Sequence, residues 1–411
     1  MKVTELLADL VLHGVQLWVE ADQIVIRAPK GVLTPLLRSS LAEHKDEILA
    51  MLRNGKPMAS FPLSYNQRSL WLVHQLAPHS TAYNVAFAAY ICSEVDVVAL
   101  RHTFQRLVDR HPSLRTTYTI INDEPMQQVH GHREIDFEEI PVAGLTVEEL
   151  HNQVVKYYRR PFDLQNGPLL RVSLFTQSKH QHVLLVTIHH IACDGASLVL
   201  LLDEFGKLYP AEKEGRSLLL PDLNRQYIDY VHWQREMLGQ PWAERQWEYW
   251  RSQLAGDLPV LKLPSDRPRP AIQTYTGATM TLQLDKELTR RLKLLSVNAE
   301  ATLYMVLLAA FQVLLYRYTN QQDILIGTST FGRSQAEFWH VVGHFVNPVV
   351  IRATLTSATT FKLFLKQIRQ TVLAALEHQD YPFLLLVERL QPTRDLSYTP
   401  IFQILFVLQK L

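Results

Sequence analysis

The chain has 411 residues, of which 47% are hydrophobic and 20% charged, as is typical of globular proteins. One hydrophobic core rarely grows to this size, so two or three domains are expected. The 41 basic and 40 acidic residues nearly cancel, which argues against a general nucleic-acid-binding surface. The two cysteines, Cys92 and Cys193, have neither metal-ligand spacing nor the pattern of a disulfide framework. We therefore expect no metal site and no nucleic-acid partner.

The N-terminal segment and the hydropathy pattern argue against export and membrane insertion. Glu5 and Asp9 interrupt the apolar pattern of MKVTELLADL, unlike the apolar core of a secretory signal. No window reaches the roughly 18 apolar residues of a membrane helix, and we interpret the longest candidate, Tyr304 to Tyr316, as a buried helix. We therefore expect a cytoplasmic protein with no membrane partner.

Residues 1–55 are predicted to form a small separate domain with the element order αββαα. A first helix is followed by the alternating stretch QLWVEADQIVIR, which predicts a hairpin around an Ala21–Asp22 turn. Thr34 followed by Pro35 is typical of the start of a helix, and Asn54-Gly55 is typical of the end of the last one.

The predicted hairpin offers a binding surface. A two-stranded sheet has unpaired edges that can accept an extended peptide from a partner. Trp18 and Val25 share one face of the hairpin, with Arg27 and Lys30 nearby, and we interpret these four residues as a docking surface. The alternative interpretation is a small domain whose second hairpin face is only solvated.

This element order resembles the N-terminal docking domains of nonribosomal peptide synthetases, of the tubulysin-synthetase type. The resemblance covers almost all of residues 1–55 and rests on the order of the elements and the placement of apolar residues, because no unique motif is present. It implies that the domain recognises a short linear motif at the C-terminus of the preceding protein in an assembly line.

The rest of the chain, from Phe61 onward, shows a mixed series of helix and strand patterns without internal repeats. Helices are predicted at Tyr65–Leu76, Val97–Arg110, Val147–Tyr158, Ala196–Tyr209, Arg225–Met237, Trp242–Leu254, Lys286–Ala299, Leu303–Thr319, Thr360–Glu377 and Pro382–Leu390. Strands are predicted at Val85–Ile91, Leu170–Phe175, Val183–Ile188, Thr279–Gln283, Ile324–Thr328, Val346–Ile351 and Gln403–Val407. The order does not alternate strictly, which favours an α/β chain of the α+β type. No glycine-rich phosphate loop is present, which argues against a nucleotide-binding core.

The stretch TIHHIACDGASL, residues 187–198, places two histidines between a predicted buried strand and a predicted helix. Such strand-to-helix connections commonly carry functional groups on a rigid scaffold. Gly195 would allow a tight turn or a close approach of the backbone. From these residues alone, His189 and His190 can equally be ordinary histidines at the edge of the core.

Eight segments of the main body, in order, resemble a condensation domain of a nonribosomal peptide synthetase. They are LSYNQRSLWLVHQL (63–76), RHPSLRTTY (110–118), RRPFDLQNGPLLRVSLF (159–175), HHIACDG (189–195), YIDYVHWQREML (227–238), LPSDRPRP (263–270), IGTSTFGRSQAEFWHVVGHFVNPVVIR (326–352) and HQDYPFLLLVERLQPTRDLSYTPIFQILFVLQ (378–409). The HHxxxDG pattern alone is shared with several CoA-dependent acyltransferase families, whereas the ordered set is highly specific.

The resemblance implies two chloramphenicol-acetyltransferase-like lobes arranged in a V, with the HHxxxDG loop at their junction. The expected division is a docking domain at 1–55, a linker at 56–61, a first lobe at 62–225 and a second lobe at 226–411. The chain ends at Lys410-Leu411, directly after IFQILFVL, where family members normally continue. We therefore expect the second lobe to be C-terminally truncated.

The resemblance also implies a reaction in which a tethered aminoacyl amine attacks the thioester carbonyl of an upstream acyl chain. His190 would act as base, positioning group or transition-state stabiliser, and Gly195 would donate its backbone N–H to the reacting carbonyl. His189 would pack or bond structurally. Asp194 is read either as a catalytic acid or, preferably, as a structural carboxylate paired with an arginine.

Three further residues belong to the implied site. Arg115 and Arg171 are both candidate partners of Asp194, and the sequence does not separate them. Asn347, in HFVNPVV, lies where family members place a polar residue that faces the junction. The alternative for Asn347 is a helix-end or turn residue before Pro348.

The implied partners are the C-terminal docking motif of an upstream synthase and the upstream and downstream carrier proteins. No cofactor is expected to be bound, because the substrates are carried on the phosphopantetheine of the carrier proteins. The donor would come from a peptide module or, in a hybrid assembly line, from a polyketide module. The alternatives are a CoA-dependent acyltransferase, an epimerisation domain, or a non-catalytic docking scaffold.

Overall fold

The computed structural model describes residues 2–20, 22–393 and 395–409. The chain divides into two compact units. Unit 1 comprises the residues up to Arg235 together with Gln335–Phe345, and unit 2 comprises Glu236–Ser334 together with the residues from Val346 onward. The lobe boundary expected at residue 225 therefore falls inside unit 1. This unit also includes the later segment Gln335–Phe345. Lys410 and Leu411, on which the expected truncation depends, lie outside the described residues.

The first five elements have the order αββαα that the sequence predicts. They are α1 (Val3–Leu12), β1 (Gln16–Glu20), β2 (Gln23–Arg27), α2 (Pro35–Glu43) and α3 (Lys45–Arg53). Thr34 caps α2 by accepting a hydrogen bond from the N–H of Leu37, and Pro35 is its first residue. In the hairpin, Trp18 lies opposite Val25. Of the expected turn, Ala21 lies outside the described residues, and Asp22 has a φ of 62°.

This N-terminal module shares a hydrophobic core with the rest of unit 1. Leu6 and Leu10 of α1 are fully buried and belong to the same cluster as Tyr230 and Phe345. Two side-chain hydrogen bonds join the same parts, since Gln226 donates to the carbonyl of Val11 and Gln16 to the carbonyl of Asp109. Ala59–Pro62, which includes part of the expected linker, forms strand β3 and pairs with a later strand. A module of about 50 residues buries little surface alone, and this shared core offsets that weakness.

Two sheets form the remainder of unit 1. Its other elements are α4 (Tyr65–Leu76), β4 (Asn84–Ile91), α5 (Val97–Arg110), β5 (Thr116–Ile121), β6 (Glu124–Val129), β7 (Asp136–Pro141), α6 (Val147–Tyr158), β8 (Leu170–Ser178), β9 (Gln181–His189), α7 (Gly195–Lys213) and α8 (Tyr227–Leu238), which runs three residues into unit 2. The larger sheet has the order β4-β9-β8-β7, with only β7 and β8 parallel. The smaller sheet has the order β3-β6-β5 and is antiparallel.

The apolar strands β8 and β9 form the centre of unit 1 because most of their side chains, and all but one of those of β9, are buried. The amphipathic helix α5 packs its buried residues Leu100, Phe104 and Leu107 into the same cluster as Val186 of β9. Helix α7 contributes Leu201 to that cluster. The hairpin β5–β6 is absent from the sequence prediction because its strands are polar and Pro125 lies within β6.

Unit 2 contains its own hydrophobic cluster around a two-stranded antiparallel sheet. Its elements are α9 (Pro241–Gln253), α10 (Lys286–Asn298), α11 (Leu303–Thr319), β10 (Asp323–Thr330), β11 (Asn347–Thr354), α12 (Phe361–Glu377) and α13 (Phe383–Leu390). Two strand predictions are wrong. Residues 279–283 are irregular and leave Met280 and Leu282 almost fully exposed, and residues 403–407 form only a bridge between Leu405 and Gly327. The local residue pattern alone predicted these strands, but a strand also needs a neighbour with which to pair.

Within the described ranges, no single helix has both the length and the apolar character needed to cross a membrane. Helices α10 and α11 reach that composition only as a pair, and the chain bends by 105° between them.

The close contact between the N-terminal module and the rest of unit 1 gives a first prediction. A Cβ at Gly131 would overlap the carbonyl oxygen of Leu17 in β1, so Gly131→Ala must push β1 away. We expect the variant to lose about 1–3 kcal/mol of unfolding free energy in urea titrations. Gly206→Ala is the control, because a Cβ there meets no described atom within 4 Å and the residue lies in α7. Equal stabilities of the two variants would contradict the packing described.

Candidate functional site

The two adjacent histidines lie where the central sheet of unit 1 meets helix α7. His189 is the last residue of β9, and α7 begins at Gly195. The N–H of His189 donates to the carbonyl of Leu169 at 3.0 Å, and the N–H of His190 donates to the carbonyl of Tyr83 at 2.8 Å. These bonds anchor the start of the loop to neighbouring backbone, so both rings are carried by a rigid scaffold.

The side chain of His189 makes its contacts inside unit 1. It is buried, and its Nδ1 accepts a hydrogen bond from the N–H of Ile191 at 3.1 Å. Its ring packs edge-on against Phe162 at a centroid distance of 5.8 Å. Burial lowers the pKa of His189 to about 3, with smaller contributions from His74 and His190. The ring is therefore neutral at pH 7.

His190 is only half-buried and faces a third histidine. Its Nδ1 lies 3.2 Å from Nδ1 of His344, and the two rings are nearly perpendicular, at 84°. Burial lowers the pKa of His190, against the opposing effects of nearby backbone carbonyl groups and of the charge on Asp194. A neutral imidazole at neutral pH follows, and a neutral imidazole has the lone pair that a base needs.

Asp194 is fully buried and holds the loop together. Its Oδ1 accepts hydrogen bonds from the N–H and the hydroxyl of Ser197, each at 2.8 Å, which caps helix α7. Its Oδ2 accepts from the N–H of Phe345 at 3.1 Å, and its own N–H donates to the carbonyl of Gly343. The carboxylate thereby joins the loop to the segment Gln335–Phe345. The spacing Asp-x-x-Ser is a capping signal that the sequence contains.

The expected pairing of Asp194 with Arg115 or Arg171 is wrong. The guanidinium of Arg115 donates to the carbonyl of His130, and that of Arg171 donates to the carbonyls of Arg160 and Pro161. Among the described residues neither arginine bonds Asp194. Burial lowers the pKa of each guanidinium to about 10, so both stay charged at neutral pH and are held by backbone oxygens instead.

Gly195 is the first residue of α7 and is exposed. A Cβ built on it meets no described atom within 4 Å, so the fold of unit 1 does not itself require a glycine here. Its N–H belongs to the first turn, where a helix offers no internal acceptor. That group is therefore placed to bind an oxygen atom from outside the helix.

Both polar atoms of the Asn347 side chain form hydrogen bonds inside unit 2. Its Nδ2 donates to the carbonyls of Gln379 and Tyr381, both at 2.8 Å, and its Oδ1 accepts from the N–H of Phe383 at 3.0 Å. These bonds fix the turn that precedes α13. Asn347 is the first residue of strand β11, and both polar atoms of its amide group are bonded to backbone groups of unit 2.

The four docking residues lie on or beside the hairpin. Trp18 and Val25 are half-buried, and the ring of Trp18 lies 6.3 Å from that of His132, measured between centroids. Arg27 and Lys30 are exposed, and neither forms an ion pair in the described part of the chain. Strand β2 pairs only with β1 there, so one of its edges remains open. No three described His, Cys, Asp or Glu side chains cluster as metal ligands would.

The buried state of His189 gives a second prediction. An unfolded histidine titrates near pH 6.5, whereas the folded pKa is about 3, so below pH 6.5 the unfolded chain binds a proton that the folded chain does not. Stability is therefore lost as the pH falls from 6.5 towards 3, by about 2 kcal/mol between pH 7 and pH 5. In His189→Asn, which keeps an acceptor near Ile191, urea titrations should show a correspondingly smaller loss. His180→Asn, at an exposed position, should keep the original pH dependence; an unchanged dependence in His189→Asn would contradict the neutral buried ring.

Comparison with known proteins agrees with this fold. Residues 59–411 match the Condensation domain family, and residues 3–54 match the TubC N-terminal docking domain. Linear gramicidin synthase subunits D and B of Brevibacillus parabrevis are each 41% identical to the chain, over 85% and 95% of its length. The chain spans only 7% and 8% of those two proteins.

A solved protein gives the structural counterpart. The X-domain from teicoplanin biosynthesis, solved alone and in complex with OxyB, is 28% and 29% identical, with TM-scores of 0.78 and 0.76. In both cases the match covers 84% of this chain and 76% of the other. With the family matches and the relatives at 41% identity, this shows that the chain belongs to the condensation-domain family of nonribosomal peptide synthetases and begins with a docking domain of the TubC type.

Proposed function

We propose that the chain forms an amide bond between an upstream carrier-bound acyl thioester and a downstream carrier-bound aminoacyl amine. The observation that carries the proposal is the neutral, half-buried imidazole of His190 on a rigidly held loop in a condensation-family chain. The N-terminal docking domain would bind the C-terminal motif of the upstream synthase. The assembly line is of the peptide type or a hybrid of peptide and polyketide modules.

The reaction requires one proton to leave the attacking amine. A free α-amine has a pKa of roughly 7.7–8.0, so only part of it is unprotonated at neutral pH. The amine nitrogen forms a C–N bond to the thioester carbonyl carbon, the C–S bond breaks, and the upstream phosphopantetheine leaves as a thiolate. His190 takes or steers the amine proton, which then neutralises the thiolate. General-base assistance of this kind contributes about 10²- to 10⁴-fold in rate.

Negative charge develops on the carbonyl oxygen during the attack. The exposed N–H of Gly195, at the N-terminus of α7, would donate to that oxygen, and the positive end of the helix dipole would add to the effect. Because a thioester is already activated, holding the two reactants in line contributes as much as proton transfer. His189 and Asp194 act in this scheme by fixing the loop that carries both groups.

The proposed partners follow from the same scheme. The chain binds no resident cofactor, since phosphopantetheine enters with the upstream and downstream carrier proteins. The open edge of β2, with Trp18, Val25, Arg27 and Lys30 around it, would receive the docking motif of the upstream synthase as an extended segment. We place the protein in the cytoplasm, where Cys92 and Cys193, both free, would remain reduced.

Two other functions compete with this one. A CoA-dependent acyltransferase would use the same histidine with a free CoA thioester, and the docking domain argues against it. A non-catalytic scaffold is favoured by the solved complex of the related X-domain with OxyB, in which that domain serves as a binding partner. The intact HHxxxDG loop and the neutral ring of His190 favour catalysis for this chain.

A condensation assay followed by mass spectrometry separates the three functions. The chain is mixed with an acyl-loaded upstream carrier protein and an aminoacyl-loaded downstream carrier protein, and in a parallel reaction with acyl-CoA as the donor. Amide product on the downstream carrier only with the carrier-bound donor supports condensation. Equal product with acyl-CoA supports the CoA-dependent reaction, and carrier binding without product supports the scaffold.

The role of His190 gives a third prediction. In His190→Ala we expect the turnover to fall by at least about 10²-fold, because the group that takes the amine proton is lost. The affinity for the carrier proteins and the urea midpoint should change little. The exposed His180→Ala is the matched control and should keep full turnover. Undiminished turnover in His190→Ala would overturn the assignment.

The exposed cations of the docking domain give a fourth prediction. Arg27→Glu/Lys30→Glu should weaken binding of a peptide that carries the C-terminal sequence of the upstream synthase, and more strongly at low than at high salt. Lys362→Glu/Lys366→Glu, a double reversal at exposed positions of α12, is the control of equal charge. Isothermal titration at two salt concentrations measures both. An effect of equal size at the two concentrations would mean that these cations do not act through their charge.

A further inference from the structure

The contact between His190 and His344 has no role yet in the proposed condensation reaction. Nδ1 of one ring lies 3.2 Å from Nδ1 of the other, and the ring centroids are 4.8 Å apart. His344 is buried, whereas His190 is half-buried. A buried imidazole placed edge-on against the proposed base can determine which ring nitrogen of that base carries the proton.

The backbone on both sides of His344 is held in place. The N–H of Gly343 donates to the hydroxyl oxygen of Ser197, and the carbonyl of Gly343 accepts from the N–H of Asp194. The N–H of Phe345 donates to Asp194, and the carbonyl of His344 accepts from the hydroxyl of Tyr227. These bonds tie the segment to the same loop that carries His190. The 3.2 Å contact is therefore fixed by the surrounding hydrogen bonds.

The chemistry of the contact allows only certain proton arrangements. Two neutral imidazole nitrogens form a hydrogen bond when one carries the proton and the other presents its lone pair. A general base takes up a proton only on a ring nitrogen that carries none, so a neutral His190 that accepts the amine proton on Nε2 carries its own proton on Nδ1. Nδ1 of His344, 3.2 Å away, is then the acceptor of that proton.

We propose that His344 is a positioning residue, which accepts the Nδ1 proton of His190 and so holds the other ring nitrogen of His190, Nε2, unprotonated for the incoming amine. The inference rests on the proposed condensation reaction. When Nε2 takes the amine proton, His190 becomes a cation with two N–H groups, and the lone pair of His344 stabilises the N–H that faces it. A carboxylate commonly serves this purpose behind a catalytic histidine, and here a neutral imidazole does so.

The charged and titratable groups around the pair are consistent with this arrangement. Asp194 is the anion whose charge favours the protonated form of His190, and His189 next to it is neutral. Tyr227 contacts the backbone of His344 through its hydroxyl group, whose pKa burial raises well above its usual value. Protonating both rings of the pair would place two cations about 3 Å apart, so the pair carries at most one.

Two substitutions separate the hydrogen bond from the packing. His344→Phe keeps a ring of similar size and removes the acceptor, whereas His344→Asn replaces Nδ1 by an amide oxygen that can still accept. In the condensation assay we expect kcat to fall about 10- to 100-fold in His344→Phe, with KM for the donor carrier protein unchanged. His344→Asn should recover most of kcat. A purely structural role would give equal losses in the two variants and would overturn the proposal.

A second readout does not depend on activity. In the full chain labelled with ¹⁵N-histidine and without substrate, the ¹⁵N resonances that disappear in His190→Ala belong to His190. We expect a protonated Nδ1 and an unprotonated Nε2 in the unchanged chain and in His344→Asn, and a mixture of tautomers in His344→Phe. A protonated Nε2 in the unchanged chain would overturn the proposal, even if His344→Phe fails to fold.

The two readouts also distinguish a failure of the role of His344 from a failure of the proposed condensation function. If the chain forms no amide product while the tautomers behave as expected, the condensation assignment fails and the coupling between the two rings stands. If product forms and His344→Phe keeps the tautomer and the turnover of the unchanged chain, the role of His344 fails alone.

Discussion

The buried carboxylate of Asp194 is the constraint on which the arrangement of the site depends. A carboxylate that is removed from water must have its oxygens hydrogen-bonded, since an unpaired buried charge costs several kcal/mol. Asp194 meets this requirement with donors from two distant parts of the chain, Ser197 and Phe345. The same bonds start helix α7 and attach the segment Gln335–Phe345 to unit 1. One side chain thus fixes both the histidine loop with the start of α7 and the attachment of a segment that is distant in sequence.

The segment held by Asp194 also connects the site to the docking domain. Phe345 belongs to the hydrophobic cluster that includes Leu6 and Leu10 of the first helix, and Tyr227 packs against Phe345 at a centroid distance of 5.0 Å. A docking domain of this size has too little buried surface to be very stable alone. Sharing a core with unit 1 stabilises it and gives it a defined position relative to the histidine loop, so that the domain is part of one folded body rather than a tethered appendage.

Particular elements show where reasoning from the sequence succeeds. Helices with clear apolar periodicity and capping residues, such as α4, α5, α6 and α11, were predicted with their ends correct, because both signals are local. The sequence pattern does not predict the polar hairpin β5–β6, although its turn residues Asn122 and Asp123, both with positive φ, are of the types that favour such a turn. The stretch at residues 279–283 failed in the opposite way, since its alternation had no neighbouring strand to pair with. Strand formation depends on a partner that is distant in sequence, and helix formation does not.

The sequence by itself determined the family, the element order of the docking domain and the loop that carries His189, His190 and Asp194. Each of these can be recognised from short segments of contiguous residues and from their order along the chain. Only the tertiary structure decided what each of these side chains contacts. Arg115 and Arg171 were plausible partners of Asp194 by charge, yet backbone carbonyls hold both of them elsewhere. His344 lies more than 150 residues from His190 in the chain and gave no signal as its neighbour. Hydrogen bonds between distant segments depend on distances of a fraction of an ångström, which composition and periodicity do not encode.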